Sequence, residues 1–514
     1  MRTSSTVLPT LSVSPRRARP SMPLRGLLAA GLALLLSACA VGPDYHRPDI
    51  SLGQTFKHEE GWKLAAPQDD LPRGAWWANY QDPVLNQLME QIEASNLTLE
   101  QSRAQIRQAQ ASLGSTRSAG FPSLDASSSA TRSSNNNSNN TGTSSRSSTA
   151  TQYSLSLGVS WELDLWGRVT RGVEAAEASM QASMANLATT RLGLQAALAR
   201  NYFQLRVMDE EKRLLEETIK LYERSLRLNE NRYDAGVSAR ADIVQAQAQL
   251  ENARVQSIDV NWQRAQLENA IALLLGQLPS EFEIPARSFV FNLPSIPTGL
   301  PSELLERRPD VAAAERQVAA ANAQIGLAQA AYFPSLSLSA NGGWRSNSVS
   351  DWLSAPARFW SLGPSLALNL FNAGRTRFEV EAAQANYDQL VAAYRLTALT
   401  ALQEVENALV KLNVLREEQT TQARALAASR ESLRLTTNQY EAGLIDFLSV
   451  VTVQTSTLAA ERSALNLLGN RLTGSVDLIA ALGGGWNTPP SPAELDAALQ
   501  ERVGEERQPD SGRP

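Results

Sequence analysis

The sequence predicts an internally duplicated fold that combines strands of a membrane β-barrel with a barrel of long α-helices. The run NRYDAGVSARADIVQAQ at 231–247 returns as NQYEAGLIDFLSVVTVQ at 438–454, an offset of 207 residues. The motif Phe-Pro-Ser-Leu likewise occurs at 121–124 and again at 333–336. Alternating apolar runs and long proline-free runs recur in the same order in both halves. Each half is therefore one helix–strand–strand–helix–helix unit.

The first 38 residues have the composition of a bacterial lipoprotein signal peptide. Several arginines precede the apolar run from Leu27 to Leu36, which is too short to span a membrane as a mature helix. The run ends just before Cys39, the only cysteine in the chain. We expect Cys39 to carry a covalent lipid, with no other cofactor, and a buried structural thiol is the alternative. Ala40 follows it instead of Asp, which favours the outer membrane.

Charge and composition argue against several classes of function. Removal of residues 1–38 takes away five arginines and no acid, so the rest of the chain has 42 basic and 52 acidic residues, a formal charge of −10. Nucleic-acid binding requires a basic face, so we expect no nucleic-acid partner. His46 and His58 are not spaced as metal ligands. The sequence shows no nucleophile–base pair, and it predicts no catalytic residue, no metal site and no enzyme.

Four segments alternate apolar and polar residues, which is the period of β-strands. The clearest, 153–165, places seven apolar residues from Tyr153 to Leu165 on one face. The expected strands span about 121–131 and 152–166 in the first repeat and about 333–346 and 359–371 in the second. Between the first two, the segment from Arg132 to Thr151 is mostly Ser, Asn and Thr, and we expect a mobile loop there.

Two structures are compatible with these strands. A soluble sandwich would bury the apolar face, whereas an outer-membrane barrel would expose it to lipid and line a wet lumen with its polar face. Trp166 and Phe333 lie at one end of the strands and Tyr153 and Trp360 at the other, which favours the barrel because aromatic belts mark the two membrane interfaces. Four strands cannot close a barrel in lipid. Two copies would supply eight strands, and three copies would supply twelve.

Long helices follow the strands in each half. The segment 169–230 has no proline and almost no glycine, and 375–438 is similar, with apolar residues at three- and four-residue steps. Helical regions are therefore expected at about 167–275 and 375–482. Roughly 60 helical residues reach about 90 Å, far beyond a hydrocarbon core of about 30 Å. Each long helix ends at a glycine, Gly236 or Gly443, which we expect to supply a left-handed cap.

The predicted domain organisation follows from the duplication. The expected domains are the signal peptide at 1–38, an N-terminal arm with the first repeat at 39–300, the second repeat at 301–486 and a disordered tail at 487–514. Disorder is expected for residues 487–514 because this segment is rich in proline and charged residues.

The ordered set of motifs resembles the outer-membrane factors of tripartite efflux systems, in the NodT-type lipoprotein branch that includes OprM and is related to TolC. The motifs are Cys39-Ala40-Val41-Gly42-Pro43-Asp44-Tyr45, Trp76-Trp77, Arg308-Pro309-Asp310, the two Phe-Pro-Ser-Leu strand starts and both Tyr-x-Ala-Gly turns. The resemblance covers essentially the whole chain from Cys39 to about Trp486. It implies a lipid-anchored protein of the outer membrane that extends into the periplasm.

The resemblance also implies an assembly and a function. A homotrimer would form a twelve-stranded barrel, four strands per chain, that continues into a periplasmic coiled-coil helical tunnel. It would dock on a periplasmic adaptor fed by an inner-membrane pump, of the RND type, and passively export drugs or other small toxic molecules. The alternatives are a duct for protein secretion, a non-conducting envelope scaffold and, least supported, an envelope hydrolase.

The resemblance implies a gate near the helical turns. Asp242 and Tyr440 match positions whose hydrogen bond across helices holds the family's tunnel shut, and Leu448 matches an apolar constriction ring. The alternative is a solvated Asp, a packed Tyr and a core Leu. Thr452 and Gln439 stand where relatives often have an acid and an arginine, so an acidic ring is not expected from the second repeat.

The turns themselves are the expected adaptor-docking tips. The docking residues are Gly236, Val237, Gly443 and Leu444. Leu444, Ile445 and Phe447 form an apolar cluster that suits a docking surface, although helix packing would explain it equally well.

Overall fold

A computed structural model describes residues 40–50, 57, 75–137, 146–289, 293–294 and 308–484. Cys39, the predicted signal peptide and the predicted tail lie outside the described residues. The chain divides into two units. The sheet unit contains residues 40–42, Pro122–Thr170 and Gln329–Leu370, and the other described residues form the helical unit.

The sheet unit is built on one antiparallel sheet of four strands in the order β1-β2-β3-β4. The strands are β1 (Ser123–Asn137), β2 (Arg146–Leu163), β3 (Ser335–Ser346) and β4 (Arg358–Ala367), and a 3₁₀ turn at Ala355–Ala357 precedes β4. Each strand pairs with its neighbour in sequence. Among the described strands, β1 and β4 therefore each have one edge without a partner.

The register brings the apolar positions of all four strands to one face. Val159 lies opposite Leu124 and Ala340, and Ala340 lies opposite Leu362. Directly opposed residues in an antiparallel pair share a face. This face is exposed in the single chain, with Leu157 55% and Leu362 67% accessible.

The other face of the sheet is polar. Serine hydroxyls on β1 and β2 pair across it at 2.8 Å. The pairs are Ser123 with Ser160, Ser127 with Ser156 and Ser129 with Ser154. The sheet thus presents an apolar surface and a hydroxyl-lined surface, as the alternation predicts.

The first two strands are longer than the alternation predicts. β1 continues to Asn137 and β2 begins at Arg146, and these two residues are paired. The predicted mobile loop from Arg132 to Thr151 is therefore wrong for most of its length. Ladder hydrogen bonds join backbone groups, so a strand that already has a neighbour can continue through Ser, Asn and Thr. Hydrophobic periodicity does not detect such a continuation.

The helical unit repeats its helix lengths. A 3₁₀ turn at Trp76–Tyr80 and a short helix, α1 (Pro83–Ser95), come first. Helices of 22, 67 and 35 residues then occur twice. They are α2 (Leu97–Ser118), α3 (Arg168–Asp234) and α4 (Arg240–Leu274), then α5 (Pro309–Ala330), α6 (Arg375–Glu441) and α7 (Phe447–Ala481). In the described part of the chain, no helix combines the length and the hydropathy needed to cross a membrane.

Short polar side chains set the helix starts. Asp82 accepts hydrogen bonds from the first backbone N–H groups of α1, and Asn96 does the same for α2. Asp446 caps α7 by accepting from the backbone N–H of Ser449 at 3.0 Å. Each cap satisfies N–H groups that have no partner within the helix.

The main core lies where α1 packs against α3, α4 and α7. The Tyr80 and Ser475 hydroxyls are 2.7 Å apart inside it. Beside it, the Arg206 side chain, 1% exposed, contacts Asp209 at 2.8 Å and the Pro285 carbonyl at 2.9 Å. Arg264 pairs with the same carboxylate at 2.7 Å. These bonds hold the segment around Pro285 against α3 and α4.

Candidate gate and docking site at the helical turns

Both helical turns have the same backbone geometry. Gly236 and Gly443 have φ of +76° and +74°, so the prediction of left-handed caps is confirmed. In each turn the N–H of the residue after the glycine donates to the carbonyl five residues earlier, at 2.9 Å. This bond is the mark of a Schellman motif, in which glycine avoids the steric cost of positive φ.

The turns display apolar side chains to solvent. Val237 is 65% exposed, Leu444 is 74% exposed and Leu448 is 54% exposed. Phe447 is only 2% exposed, so helix packing, and not a place in an exposed docking cluster, accounts for this residue. As the first residue of α7 it turns inward and packs on Tyr440, with ring centroids 5.4 Å apart.

Tyr440 joins the two repeats. Its hydroxyl donates to the Asn229 side-chain oxygen at 2.5 Å, and Asn229 is fully buried on α3. Arg232 donates to the Tyr440 carbonyl at 3.0 Å, and its guanidinium lies 4.7 Å from the centre of the Tyr440 ring. A hydrogen bond, a cation–π contact and a backbone contact therefore connect α6 to α3 one turn from the tips.

Asp242 acts locally in the structure. Its carboxylate accepts from the Ser238 hydroxyl at 2.7 Å and from the Ala239 N–H at 3.3 Å, closing the start of α4. Among the described contacts no hydrogen bond joins Asp242 directly to Tyr440. Ser238 also lies near the Tyr440 phenol, whose pKa it lowers. The bond between Tyr440 and Asp242 that the resemblance implies stays a prediction.

The protonation state of Tyr440 suits a hydrogen-bond donor. Burial is the largest cause that raises the pKa of the phenol above its ordinary value, and Asp242 raises it further. The positive charge of Arg232 acts in the opposite direction. The phenol is therefore protonated at neutral pH and donates to Asn229.

Sequence reasoning missed Asn229 and Ser238 as members of this network. Asn229 follows no motif, and its only signal is a polar residue placed among apolar positions of a helix that packs on α6. The NH2 group of the buried Asn229 amide donates to the Ser225 carbonyl, and its oxygen needs a donor, which Tyr440 supplies.

The sheet unit holds a second feature that bears on function. The Trp166 and Phe333 rings stack with centroids 4.8 Å apart, and the Trp166 indole donates to the Pro334 carbonyl at 2.7 Å. The Val41 N–H donates to the Trp166 carbonyl at 3.0 Å. The chain that follows Cys39 is thus fixed beside an aromatic pair at the end of β2.

Comparisons with known proteins agree with this architecture. The profile of the family described as outer membrane efflux protein matches residues 88–277 and 300–484. The antibiotic efflux pump outer membrane protein ArpC of Pseudomonas putida is 32% identical over 92% of this chain and 98% of its own length. The toluene efflux pump outer membrane protein TtgC of P. putida matches to the same extent. A solved structure of the outer-membrane channel OprN superposes with a TM-score of 0.79 at 32% identity, covering 88% of this chain and all of that one.

Proposed function

This chain belongs to the outer membrane efflux protein family, and we propose on that premise that three copies of it close into one gated channel. Like its relatives, the chain is the outer-membrane channel component of an efflux pump and extends into the periplasm. The family consists of channel proteins, and we propose that this chain performs no catalysis. Energy for export would then come from the rest of the pump.

The observation that carries the trimer proposal is the open sheet. Among the described strands, β1 and β4 each leave one edge without a partner, while one face is mostly apolar and exposed. Unpaired edges are not tolerated in lipid, so copies must pair β4 with the β1 of the next chain. Three chains give twelve strands, with the apolar face towards lipid and the serine-lined face towards the lumen.

We propose that the contacts around Tyr440 keep the periplasmic end shut at rest. Asn229, Arg232 and Tyr440 tie α6 to α3, and Asp242 with Ser238 fixes the start of α4. Neighbouring helices can separate only when these contacts break. Leu448, exposed near the same turn, is proposed to line the constriction.

The proposed partner at the tips is a periplasmic adaptor of an inner-membrane pump, of the RND type. Val237 and Leu444 are the exposed apolar side chains that Gly236 and Gly443 present, and exposed apolar groups are suited to docking. The proposed cargo is drugs or other small toxic molecules. The names of relatives that export antibiotics and toluene support this cargo over secreted proteins.

Photo-crosslinkers placed in cells at Val237 and Leu444 test this function. We expect each to capture one periplasmic adaptor, identified by mass spectrometry. A crosslinker at Trp360, 82% exposed on the apolar face of the sheet, is the control and should capture none. An adaptor that serves an ATP-driven protein exporter would favour the secretion duct. Assembled channels that capture no adaptor at either turn would contradict the docking proposal and favour the scaffold.

We further propose that Cys39 carries a lipid. The supporting contact is the one between Val41 and Trp166, because stacked aromatics at a strand end are typical of a membrane interface. Covalent acyl chains anchor a protein at that level. An intact mass that matches an acylated Cys39 as the first residue is expected, and an unmodified cysteine would contradict the proposal.

A further inference from the structure

Two arginines lie on the apolar face of the sheet. Arg358 is opposite Trp344, and Trp344 is opposite Leu155, so all three side chains share that face. Arg132 lies on β1 in the same alternation as Leu124, eight residues further along the strand. Both side chains are exposed. Among the described residues, neither guanidinium has a hydrogen-bond or ion-pair partner, whereas both backbones pair within the sheet.

Their position along the strands places them at a membrane boundary. Arg132 is eight residues from Leu124, and Arg358 is eight residues from Leu366. Eight residues span about 26 Å along a strand. Because strands of such barrels are tilted, this length corresponds to about 20 Å along the membrane normal, close to the height of the apolar band of about 25 Å. An arginine on the lipid-facing side is tolerated at an interface and destabilising at the midplane. The two guanidiniums therefore belong at the interface.

Connectivity identifies which interface this is. α3 and α6 follow the opposite ends of β2 and β4, whereas Arg132 and Arg358 lie towards the hairpin connections. Helices that extend into the periplasm put the hairpin end at the outer leaflet. Tyr153 and the 82% exposed Trp360 lie on the same face just inside the arginines, as expected for the outer aromatic belt.

We propose that Arg132 and Arg358 form a binding site for the phosphate groups of lipid A in the outer leaflet. A guanidinium offers a planar fork of donors that matches a phosphate in bidentate fashion. The site rests on the proposed trimer, because β1 and β4 are opposite edges of one sheet. Pairing of copies puts Arg358 of one chain and Arg132 of the next on adjacent strands, and neighbouring strands lie about 4.8 Å apart. One lipid A would then bridge each junction.

Arg345 provides a matched control. It is on β3 opposite Ser154, and therefore on the polar face, where its guanidinium lies 4.6 Å from the centre of the Phe359 ring. It has the same chemistry and lies towards the same end of the sheet. Its side chain points away from the proposed lipid surface.

Native mass spectrometry of the full-length protein, with defined lipids added, tests the site. Bisphosphorylated lipid A is expected to bind the wild-type and R345Q assemblies alike, and to bind the R132Q/R358Q assembly at least about tenfold more weakly, as loss of charge-assisted hydrogen bonds predicts. Dephosphorylated lipid A and phosphatidylglycerol should bind all three weakly.

Two results would overturn the proposal without touching the channel assignment. One is equal lipid A binding by R132Q/R358Q and R345Q assemblies. The other is wild-type binding of dephosphorylated lipid A or phosphatidylglycerol as tight as that of bisphosphorylated lipid A. A wild-type protein that forms no closed assembly in the outer membrane would instead overturn the proposed trimer, and this site with it.

Discussion

Channels that carry Tyr440→Phe together with Asp242→Ala are expected to conduct at least tenfold more current than wild type in planar bilayers. The Phe substitution leaves the side-chain oxygen of the fully buried Asn229 without its hydrogen-bond donor, a cost of about 1–3 kcal/mol to the closed state. The Ala substitution removes the acceptor of the Ser238 hydroxyl and the Ala239 N–H. About 1.4 kcal/mol corresponds to a tenfold shift between the closed and open populations. The loss of one of these interactions in each chain is therefore sufficient for the expected increase in current.

A matched double variant controls for general loosening of the helices. Tyr222 is a buried tyrosine on α3 whose hydroxyl accepts from Gln249 at 3.2 Å, and Asp259 on α4 accepts from Gln263 at 2.7 Å. Neither lies at the turns. Tyr222→Phe with Asp259→Ala should leave conductance at the wild-type level. Equal conductance in the gate variant and this control would show that the contacts around Tyr440 do not hold the channel closed.

The second large effect is expected in the sheet. Leu157 is at the middle of the apolar face, opposite Ala126 and Gly342, and is 55% exposed in the single chain. An arginine at the bilayer midplane on a lipid-facing position costs about 2–4 kcal/mol in each copy. Leu157→Arg should therefore strongly reduce folded protein in the outer membrane and lower the denaturation midpoint of the assembly.

The adjacent residue gives the control. Ser156 lies on the polar face, where its hydroxyl pairs with that of Ser127. Ser156→Arg puts the same charge towards water, so assembly should stay within about 1 kcal/mol of wild type. If both variants assembled equally well, or if Ser156→Arg were the more damaging, the assignment of the two faces would be reversed or wrong.

The sequence was sufficient for the features that depend on periodicity. The alternation of apolar and polar residues from Tyr153 to Leu163 indicates which face of the sheet each side chain occupies, because the side-chain period of a strand is two. The repeated glycine turns at Gly236 and Gly443 could be predicted because positive φ strongly favours one residue type. The paired helix lengths follow from the same duplication.

Features that depend on a partner element could not be predicted in the same way. β1 extends to Asn137 and β2 begins at Arg146 because each strand supplies backbone hydrogen-bond partners to the other. No side-chain pattern encodes this pairing. Phe447 is buried because Tyr440 lies beside it, a contact between residues of two helices. Asn229 lacks a local motif, and its role becomes visible only when the Tyr440 hydroxyl is placed against it.

The most direct measurement of the central claim is the copy number of the assembly extracted from outer membranes, determined by native mass spectrometry. The open edges of β1 and β4 require copies to pair, and we propose three chains, so that twelve strands close around a serine-lined lumen. A mass of three chains would agree with that account. A single chain, or two chains with eight strands, would contradict it.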